Sequence, residues 1–560
     1  MTDYQKLRGG YYTPKPIADF LAQWAIRSPT DKVLEPSCGD GVLLESAAAT
    51  LLKLGTDKTQ VSSLLYGIEL DPIEAEKAAQ RVASLNGQLH PPNIHVGDFF
   101  THCKSTLLDD TFMGHTVSQG MSFDAIVGNP PFIRYQDFPE EHRAIAFQIM
   151  KDAGFNPTRL SNIWLPFLVV STLLLNERAR LGLVIPAELF QVNYAAEARQ
   201  HLSECFSKLT IITFKKLVFS GIQQEVVLLL GEHNGSDDTQ IEVVELENLE
   251  ALSQFNQSSA SDEPKPMDHS TEKWTQYFLR KDEILLLRAL RDNPRLTISG
   301  NVIDVDVGIV TGQNRFFILT EQQAEQYSLD PHIEHIVARS AHLDGAIFTE
   351  ADWKHNRAND YPCYLFSPPD VPQEELSDPV RRYILLGEDN KVHTGYKCRI
   401  RNRWYIVPSV WVPDAFMLRQ VHSYPKLILN EASAACTDTI HRVRFRNGAD
   451  PRQITAAFLN SLTFAFSEVT GRGYGGGVQT FEPSEAERLP LPLRGAENLD
   501  IEKIDTLLRE NNIEAVLDIT DRVLLVDGLG LSKKKVRMLR DIWGKLRDRR
   551  INRKHGRKSL

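Results

Sequence analysis

VLEPSCGDG, residues 33–41, reads as a short apolar strand that ends in a carboxylate and runs into a glycine-bearing loop. The stretch Val42–Leu54 follows as a helix. Glycine lets a backbone approach a ligand closely, and the first turn of a helix leaves N–H groups unpaired, so such a turn suits a polar ligand. The dinucleotide fingerprint G-x-G-x-x-G is not met, because Leu44 stands where its third glycine would fall.

Outward from this turn the alternation continues. Leu64–Glu69 reads as a strand, Pro72–Val82 as a helix, and Asn93–Val96 and Phe123–Val127 as strands. Ile163–Leu175 reads as a helix, Leu181–Ile185 as a strand closed by Pro186, and Leu209–Phe214 with Glu225–Leu230 as a closing strand pair. Repeated strand–helix units imply a doubly wound α/β sheet with ligands at the C-terminal strand ends. Residues 254–273 are polar, contain prolines and lack periodicity, as in a linker or long surface loop. Beyond them short aromatic strands and loops mix, which predicts a separate α+β domain.

The 560 residues suggest two or three domains, and 42% hydrophobic with 24% charged residues is the composition of a globular protein. No apolar run is long enough to span a bilayer, the N-terminus lacks a secretory pattern, and the six cysteines form no C-x-x-C pair. These features predict a cytoplasmic protein with no membrane association, no metal site and no disulfide framework. The net charge of −10 is uneven: residues 531–560 hold thirteen Lys or Arg and two Asp, a local +11, which leaves −21 for the rest. Such a tail is either a solvated, frayed helix end or a phosphate-attracting segment.

Three successive strands end in acids. Glu69 closes LLYGIE and is placed to accept from two ribose hydroxyls; Asp98 in VGDFF can accept from an adenine amino group, with Phe99 covering the ring. Each carboxylate alone could be a helix cap, but three in successive units favour a nucleoside-bearing cofactor.

The fourth strand runs into Asn129-Pro130-Pro131-Phe132. The exocyclic amino group of adenine is a poor nucleophile, because its lone pair is delocalised into the ring. Two acceptors aimed at its hydrogens, the Asn129 side-chain oxygen and the Pro130 carbonyl, favour a pyramidal nitrogen. The prolines hold those acceptors rigidly, and Phe132 can stack on the base. With a sulfonium as leaving group the transfer needs orientation and electrostatics rather than a covalent nucleophile. The plain alternative for N-P-P-F is a turn.

In motif order the sequence resembles the gamma-class adenine-N6 DNA methyltransferases of bacterial type II restriction–modification systems. GGYYTPKPIADFL (Gly9–Leu21), VLEPSCGDG, GIELDP, VGDFF, NPPF and KLVFSGIQQEVVLLL carry the resemblance over about residues 9–231. It implies a Rossmann-like seven-stranded methyltransferase sheet in residues 1–250, a linker at 251–274, and an α+β DNA target-recognition domain with a basic tail at 275–560. It also implies S-adenosyl-L-methionine as cofactor, held by Tyr12, Thr13, Pro14, Glu35, Pro36, Ser37, Cys38, Gly39, Gly41, Glu69, Leu70, Asp98, Phe99 and Asn129. In this likeness Glu35 meets the methionine part, Glu69 the ribose, and Asp98 with Phe99 the adenine. Phe219 would form the second wall around the target base, opposite Phe132. The implied partner is double-stranded DNA, acted on by a monomer, with a cognate restriction endonuclease as a functional partner.

In the C-terminal half, YKCRIRNRWYIVP alternates Lys397, Arg399, Arg401 and Arg403 with aromatics, which on a strand would put the four cations on one face for DNA. The loop 133–160 is polar enough to close over a flipped base, and the run Gly471–Gly477 reads as a hinge or a close backbone approach. Competing readings are methylation of RNA or of a protein glutamine, cytosine-C5 chemistry, a fused nuclease using Asp389-Asn390-Lys391, and a non-catalytic DNA specificity subunit. The first two lack, respectively, a reason for the long C-terminal half and a cysteine after proline in the catalytic loop. The intact motifs speak against the last.

Overall fold

Val33–Glu35 (β1), Leu65–Glu69 (β2), Asn93–Val96 (β3), Phe123–Gly128 (β4) and Leu175–Pro186 (β5) form a parallel run in the order β3-β2-β1-β4-β5. The computed structural model describes residues 12–86, 92–107, 121–158, 161–215, 225–232, 240–255, 265–266, 273–446, 448–474 and 477–552. Val226–Glu232 (β7) lies antiparallel between β5 and Lys208–Phe214 (β6). This seven-strand order is the Rossmann-like sheet expected. It is extended at one edge by Gln240–Leu246 (β8) and Lys265–Pro266 (β9). The chain divides into two compact units: residues 1–281 with 552–560, and residues 282–551.

In the first unit the helices are Lys15–Ala25 (α1), Val42–Leu54 (α2), Pro72–Asn86 (α3), Glu140–Asp152 (α4), Trp164–Leu173 (α5) and Ala196–Cys205 (α6). Ile17, Ala18, Leu21, Ala22 and Ala25 recur at three- and four-residue spacing, and this face of α1 is buried in the core shared with α2 and the sheet. All of β4 but Asp124 is buried, and α5 is buried along nearly its whole length, so the centre of the unit lies around β4 and β5. Strands covered on both faces are continuous apolar runs, which is why they were legible.

Three expectations need correction. The segment 133–160, read as a polar loop, contains α4: Pro139 precedes it, Glu140 and Glu141 occupy its first turn, and Ala146, Ile149 and Met150 are buried. Its single narrow apolar stripe is diluted by charged residues on the other faces. The segment 251–274, read as a linker, contributes a 3-10 turn at Glu250–Gln254 and β9. The Lys265 ammonium donates to the Tyr277 carbonyl at 2.9 Å, so this stretch and residues up to 281 belong to the first unit. A short polar strand carries no periodicity to see.

The third concerns the basic tail in the second unit. This unit is built on a five-stranded sheet of Ile303–Val307 (β10), Ile347–Phe348 (β11), Ala415–Leu418 (β12), Leu427–Asn430 (β13) and Ile440–Phe445 (β14), ordered β10-β14-β12-β13-β11. Lys281–Arg291 (α7), Ser461–Thr470 (α8) and Lys533–Asn552 (α9) flank it. α9 is neither frayed nor free: Val536, Leu539, Ile542, Trp543 and Leu546 are buried, and Trp543 packs on Phe464 with ring centroids 5.1 Å apart. Three of its cations are spent internally, whereas Lys533, Lys534, Lys535 and Arg537 are exposed. Arg540 pairs with Asp518 and Asp521 at 2.9 Å, Lys545 with the fully buried Glu283, and Arg550 with Glu468 at 2.6 Å. Gly471–Gly477, for its part, lies at a hairpin whose strands are Arg472–Tyr474 and Val478–Thr480.

Trp543→Ala should therefore destabilise the second unit by roughly 3–5 kcal/mol in urea unfolding. Truncation before Lys533 should leave that unit unable to fold cooperatively, rather than merely weakening phosphate attraction. A truncated protein with an unchanged melting curve would show α9 to be dispensable.

Candidate functional site

Parallel pairing of β1 with β4 (Val33 beside Ala125, Leu34 beside Ile126) places the ends of these two strands side by side, although 92 residues separate Ser37 from Asn129. Between β1 and β4 the strand order reverses, and at such a point the loops diverge to opposite faces and leave a crevice. The loop 36–41 follows one strand and Asn129-Pro130-Pro131-Phe132 the other. The Ser37 hydroxyl donates to the Asn129 carbonyl at 3.4 Å, joining them directly.

The three strand-end acids are all caps, and all open on the same sheet edge. Glu35, 2% exposed, accepts from the Leu44 N–H at 3.1 Å, in the first turn of α2. One Glu69 oxygen accepts from the Gly39 N–H at 2.8 Å, the other from the Asp71 N–H at 2.9 Å, so this carboxylate closes both the glycine loop and the approach to α3. Asp98 accepts from the Thr101 N–H and hydroxyl, each at 2.8 Å. A carboxylate oxygen has further acceptor capacity once it caps a backbone N–H, so capping and ligand binding are compatible. Burial pushes the Glu35 carboxyl well above the ordinary carboxylate range, opposed by the Leu44 N–H, with Asp40 and Glu69 adding to the rise. Burial also raises Glu69.

The two glycines of the loop serve different ends. Gly41 has φ +82°, and a Cβ there would lie 2.5 Å from the Ala78 Cα, so its bareness admits α3 rather than a ligand. Gly39, with φ +52°, would place a Cβ in open space. Arg81 of α3 braces the same loop through Asp40 at 2.7 Å and Glu45 at 3.4 Å. Cys38 is buried, and burial lifts its thiol far above the usual range, with Glu35 and Glu69 adding, so it is a packing residue and not a nucleophile. Pro36 is buried beside it.

Asn129 is held from a third direction. Its amide Nδ2 donates to the Thr13 hydroxyl at 3.2 Å, from the segment 12–14 that leads into α1. Tyr12 reaches the Glu74 carboxylate at 3.2 Å, and Pro14 caps α1. Pro130 is buried, Pro131 half-buried, and Phe132 is a half-buried ring packed against the core. Leu70, 52% exposed, presents an apolar side chain just beyond Glu69. Phe99 is committed to the core: its ring stacks on Phe167 with centroids 4.9 Å apart, so it underlies Asp98 rather than standing free to cover a nucleobase. Phe219 lies outside the described residues.

Residues that sequence reasoning missed also come together here. Arg81 shares a helix face with Glu74, Lys77 and Ala78, a three-and-four spacing that could have flagged it. His142 of α4 comes within 3.5 Å of Asp98 and had no sequence signal, because α4 itself was not seen. The Nδ1 atom makes no hydrogen bond at that distance, so the pair is a close polar contact and not a bond.

In the second unit the alternation of cations is not on a strand. Tyr396–Arg399 is a single helical turn followed by bends, because a glycine at 395 and close packing around the buried Cys398 favour a coil of the chain there. Lys397 and Arg399 are exposed. Arg401 instead donates to the carbonyls of Thr311 at 2.7 Å, Val310 at 3.0 Å and Trp404 at 3.3 Å, and Arg403 pairs with Asp370 at 2.6 Å. Only two of the four cations are thus presented to solvent. Asp389 ends a helix, and no group of three or more potential metal-ligating side chains occurs among the described residues.

The N-6 DNA Methylase family matches residues 2–283, just over half of the chain, and the chain belongs to that family. It is an N6-adenine DNA methyltransferase. The C-terminal domain of type II methyltransferase M.Eco57I matches residues 271–525, and the protein is a methyltransferase of a type II restriction–modification system. Type II methyltransferase M.XamI of Xanthomonas campestris pv. amaranthicola is 22% identical over 504 residues, covering 86% of this chain and 85% of its own. Type II methyltransferase M.HindII of Haemophilus influenzae is 22% identical over 360 residues, covering 61% and 60%. Among solved structures, the type IIL restriction–modification enzyme MmeI in complex with DNA shares the fold, with a TM-score of 0.55, 11% identity, and coverage of 92% of this chain and 73% of that one. No helix among the described residues is long and apolar enough to cross a membrane.

Two measurements check the site's construction. A carboxyl raised in the folded state takes up its proton more readily folded than unfolded. The protein is then fully stable below the ordinary value of 4.5 and loses stability as the pH climbs from there toward the raised value. In the cofactor-free protein, Glu35→Gln should therefore melt higher than wild type at pH about 8, with the gap closing toward pH about 4.5. Gly41→Ala should cost more stability than Gly39→Ala, which carries only left-handed backbone strain of roughly 1–2 kcal/mol; equal melting temperatures would contradict the Ala78 contact.

Proposed function

We propose that the crevice between β1 and β4 holds S-adenosylmethionine, the cofactor this family uses, against a flipped adenine of duplex DNA. The residues present fit that group. Leu70 offers an exposed apolar surface, Gly39 leaves space at the loop, and Glu35, Glu69 and Asp98 bring acceptors to one sheet edge. Glu35 would face the methionine amine, Glu69 the ribose hydroxyls and Asp98 the adenine amino group, with Tyr12, Thr13 and Pro14 beside the methionine part. When bound, the cofactor supplies a methyl group on a sulfonium, a leaving group that needs no covalent help from the protein.

This chain's own work is then orientation. The Asn129 side-chain oxygen and the Pro130 carbonyl take the two hydrogens of the adenine amino group and favour a pyramidal nitrogen. Phe132 and Phe219 are the two aromatics for stacking on the extruded base. The Ser37–Asn129 hydrogen bond is the observation that carries this reading, because it ties the cofactor loop to the catalytic turn across 92 residues of chain. Asn129→Ala should lower the methylation rate at least about a hundredfold, the loss typical of removing a transition-state donor or acceptor, while calorimetry shows cofactor affinity nearly unchanged. Expression in a methylation-free host with long-read mapping of modified bases tests the whole assignment. An unmethylated genome, or methylation outside one defined sequence, would overturn it.

The second unit selects the DNA sequence, and the enzyme protects host DNA from a cognate endonuclease. Exposed Lys397 and Arg399 face solvent for phosphate contact, whereas Arg401 and Arg403 hold the turn that presents them. The Lys397→Ala/Arg399→Ala pair should weaken DNA binding and flatten its salt dependence by about two phosphate contacts, without a change in melting temperature. Arg401→Ala should lower the melting temperature first. The reverse pattern would move the DNA contact to Arg401.

A further inference from the structure

We infer that Thr13 is a positioning residue for catalysis: its hydroxyl accepts from Asn129 Nδ2 and so selects the orientation of the amide whose oxygen meets the target amino group. The inference rests on the reading of Asn129 given above. A side-chain amide has one accepting and one donating end, and a half-turn about its last bond exchanges them. Toward an amino group that offers hydrogens, only the oxygen is useful; the NH2 end would set donor against donor. With Nδ2 drawn to Thr13 at 3.2 Å, the oxygen faces away from that hydroxyl.

The segment that carries the hydroxyl is itself held before any substrate arrives. Thr13 is 8% exposed. On one side Tyr12 is tied to Glu74 of α3. On the other, the Pro14 carbonyl accepts from the Ile17 and Ala18 N–H groups and starts α1. α1 is then pinned to α2 by Asp19, which accepts from the Ser46 hydroxyl at 2.8 Å, and by the Lys15 ammonium on the same hydroxyl at 3.1 Å. Ser37 meanwhile fixes the main-chain carbonyl of Asn129. Side chain and backbone of one residue are thus set from two different elements, and the N-terminal segment contributes to the chemical step as well as to the cofactor pocket.

The test separates the amide from the cofactor. Thr13→Val keeps the shape and removes the hydroxyl, Thr13→Ser keeps the hydroxyl, and Thr13→Ala removes it with no steric demand should the valine perturb folding. One neutral hydrogen bond choosing between two amide orientations predicts a single-turnover rate roughly three- to tenfold lower in the Val and Ala variants. The rate is read at S-adenosylmethionine concentrations that calorimetry shows to saturate each variant, so that a change in cofactor affinity does not enter it, and Thr13→Ser should restore the rate. A Val variant at the wild-type rate would overturn the inference. So would a rate loss that disappears at saturating S-adenosylmethionine, which would make Thr13 a cofactor contact alone, or a Ser variant as slow as Val at an unchanged melting temperature. Asn129→Ala measured alongside distinguishes the two levels: if it retains activity the reading of Asn129 fails, and if it is inactive while Thr13→Val is normal only the role of Thr13 fails.

Discussion

The pairing of β1 with β4 is only two residue pairs long, yet it brings loop 36–41 beside Asn129-Pro130-Pro131-Phe132. β1 is three residues, all buried, and has β2 on its other side. Its C-terminal end can therefore only open into loop 36–41, and that loop has to pass over the end of β4. A parallel sheet reversing its winding at this point leaves no crossover helix to fill the space above the two strand ends. The Ser37 and Thr13 contacts to Asn129 follow from that geometry rather than creating it.

The acidic strand ends let a folded loop and the proposed binding site share their parts. Glu35, Glu69 and Asp98 each satisfy backbone N–H groups at a helix or loop start, where unpaired donors would otherwise be buried. Removing any one of them therefore disturbs the scaffold and the pocket together. The raised Glu35 carboxyl illustrates the tension: a buried acid is stabilised by one N–H and opposed by burial and by Asp40 and Glu69. A nearby cation would relieve this, which is consistent with an amine-bearing ligand at that end.

Part of the charge in the second unit is structural. The C-terminal helix α9 carries many of the chain's cations, yet Arg540, Lys545 and Arg550 are paired with acids, and Arg550 with Glu468 is nearly fully buried. Removing one member of such a pair leaves an uncompensated charge, so these residues hold the helix in place more than they attract a polyanion. The same holds for Arg401, which gathers three carbonyls at one turn. Lys397 and Arg399 remain because their turn projects them outward.

The order of the motifs and the doubly wound sheet were legible in the residues themselves. Buried parallel strands must be apolar runs, an acid must follow a strand end to cap the next element, and N-P-P-F has one conformational job. Val42–Leu54 and Asn93–Val96 match the structure end to end. Three matters needed the folded chain: that Gly41 serves Ala78, that Thr13 holds Asn129, and that α9 is a core element. Each is a contact between residues far apart in sequence, and neither periodicity nor local propensity encodes such a distance. Lys397 and Arg403 read alike along the chain; one is exposed on a helical turn and the other is paired with Asp370 in the bends that follow it, because the segment is not a strand. Local residue chemistry sets what a side chain can do, and only packing sets which neighbour it does it with.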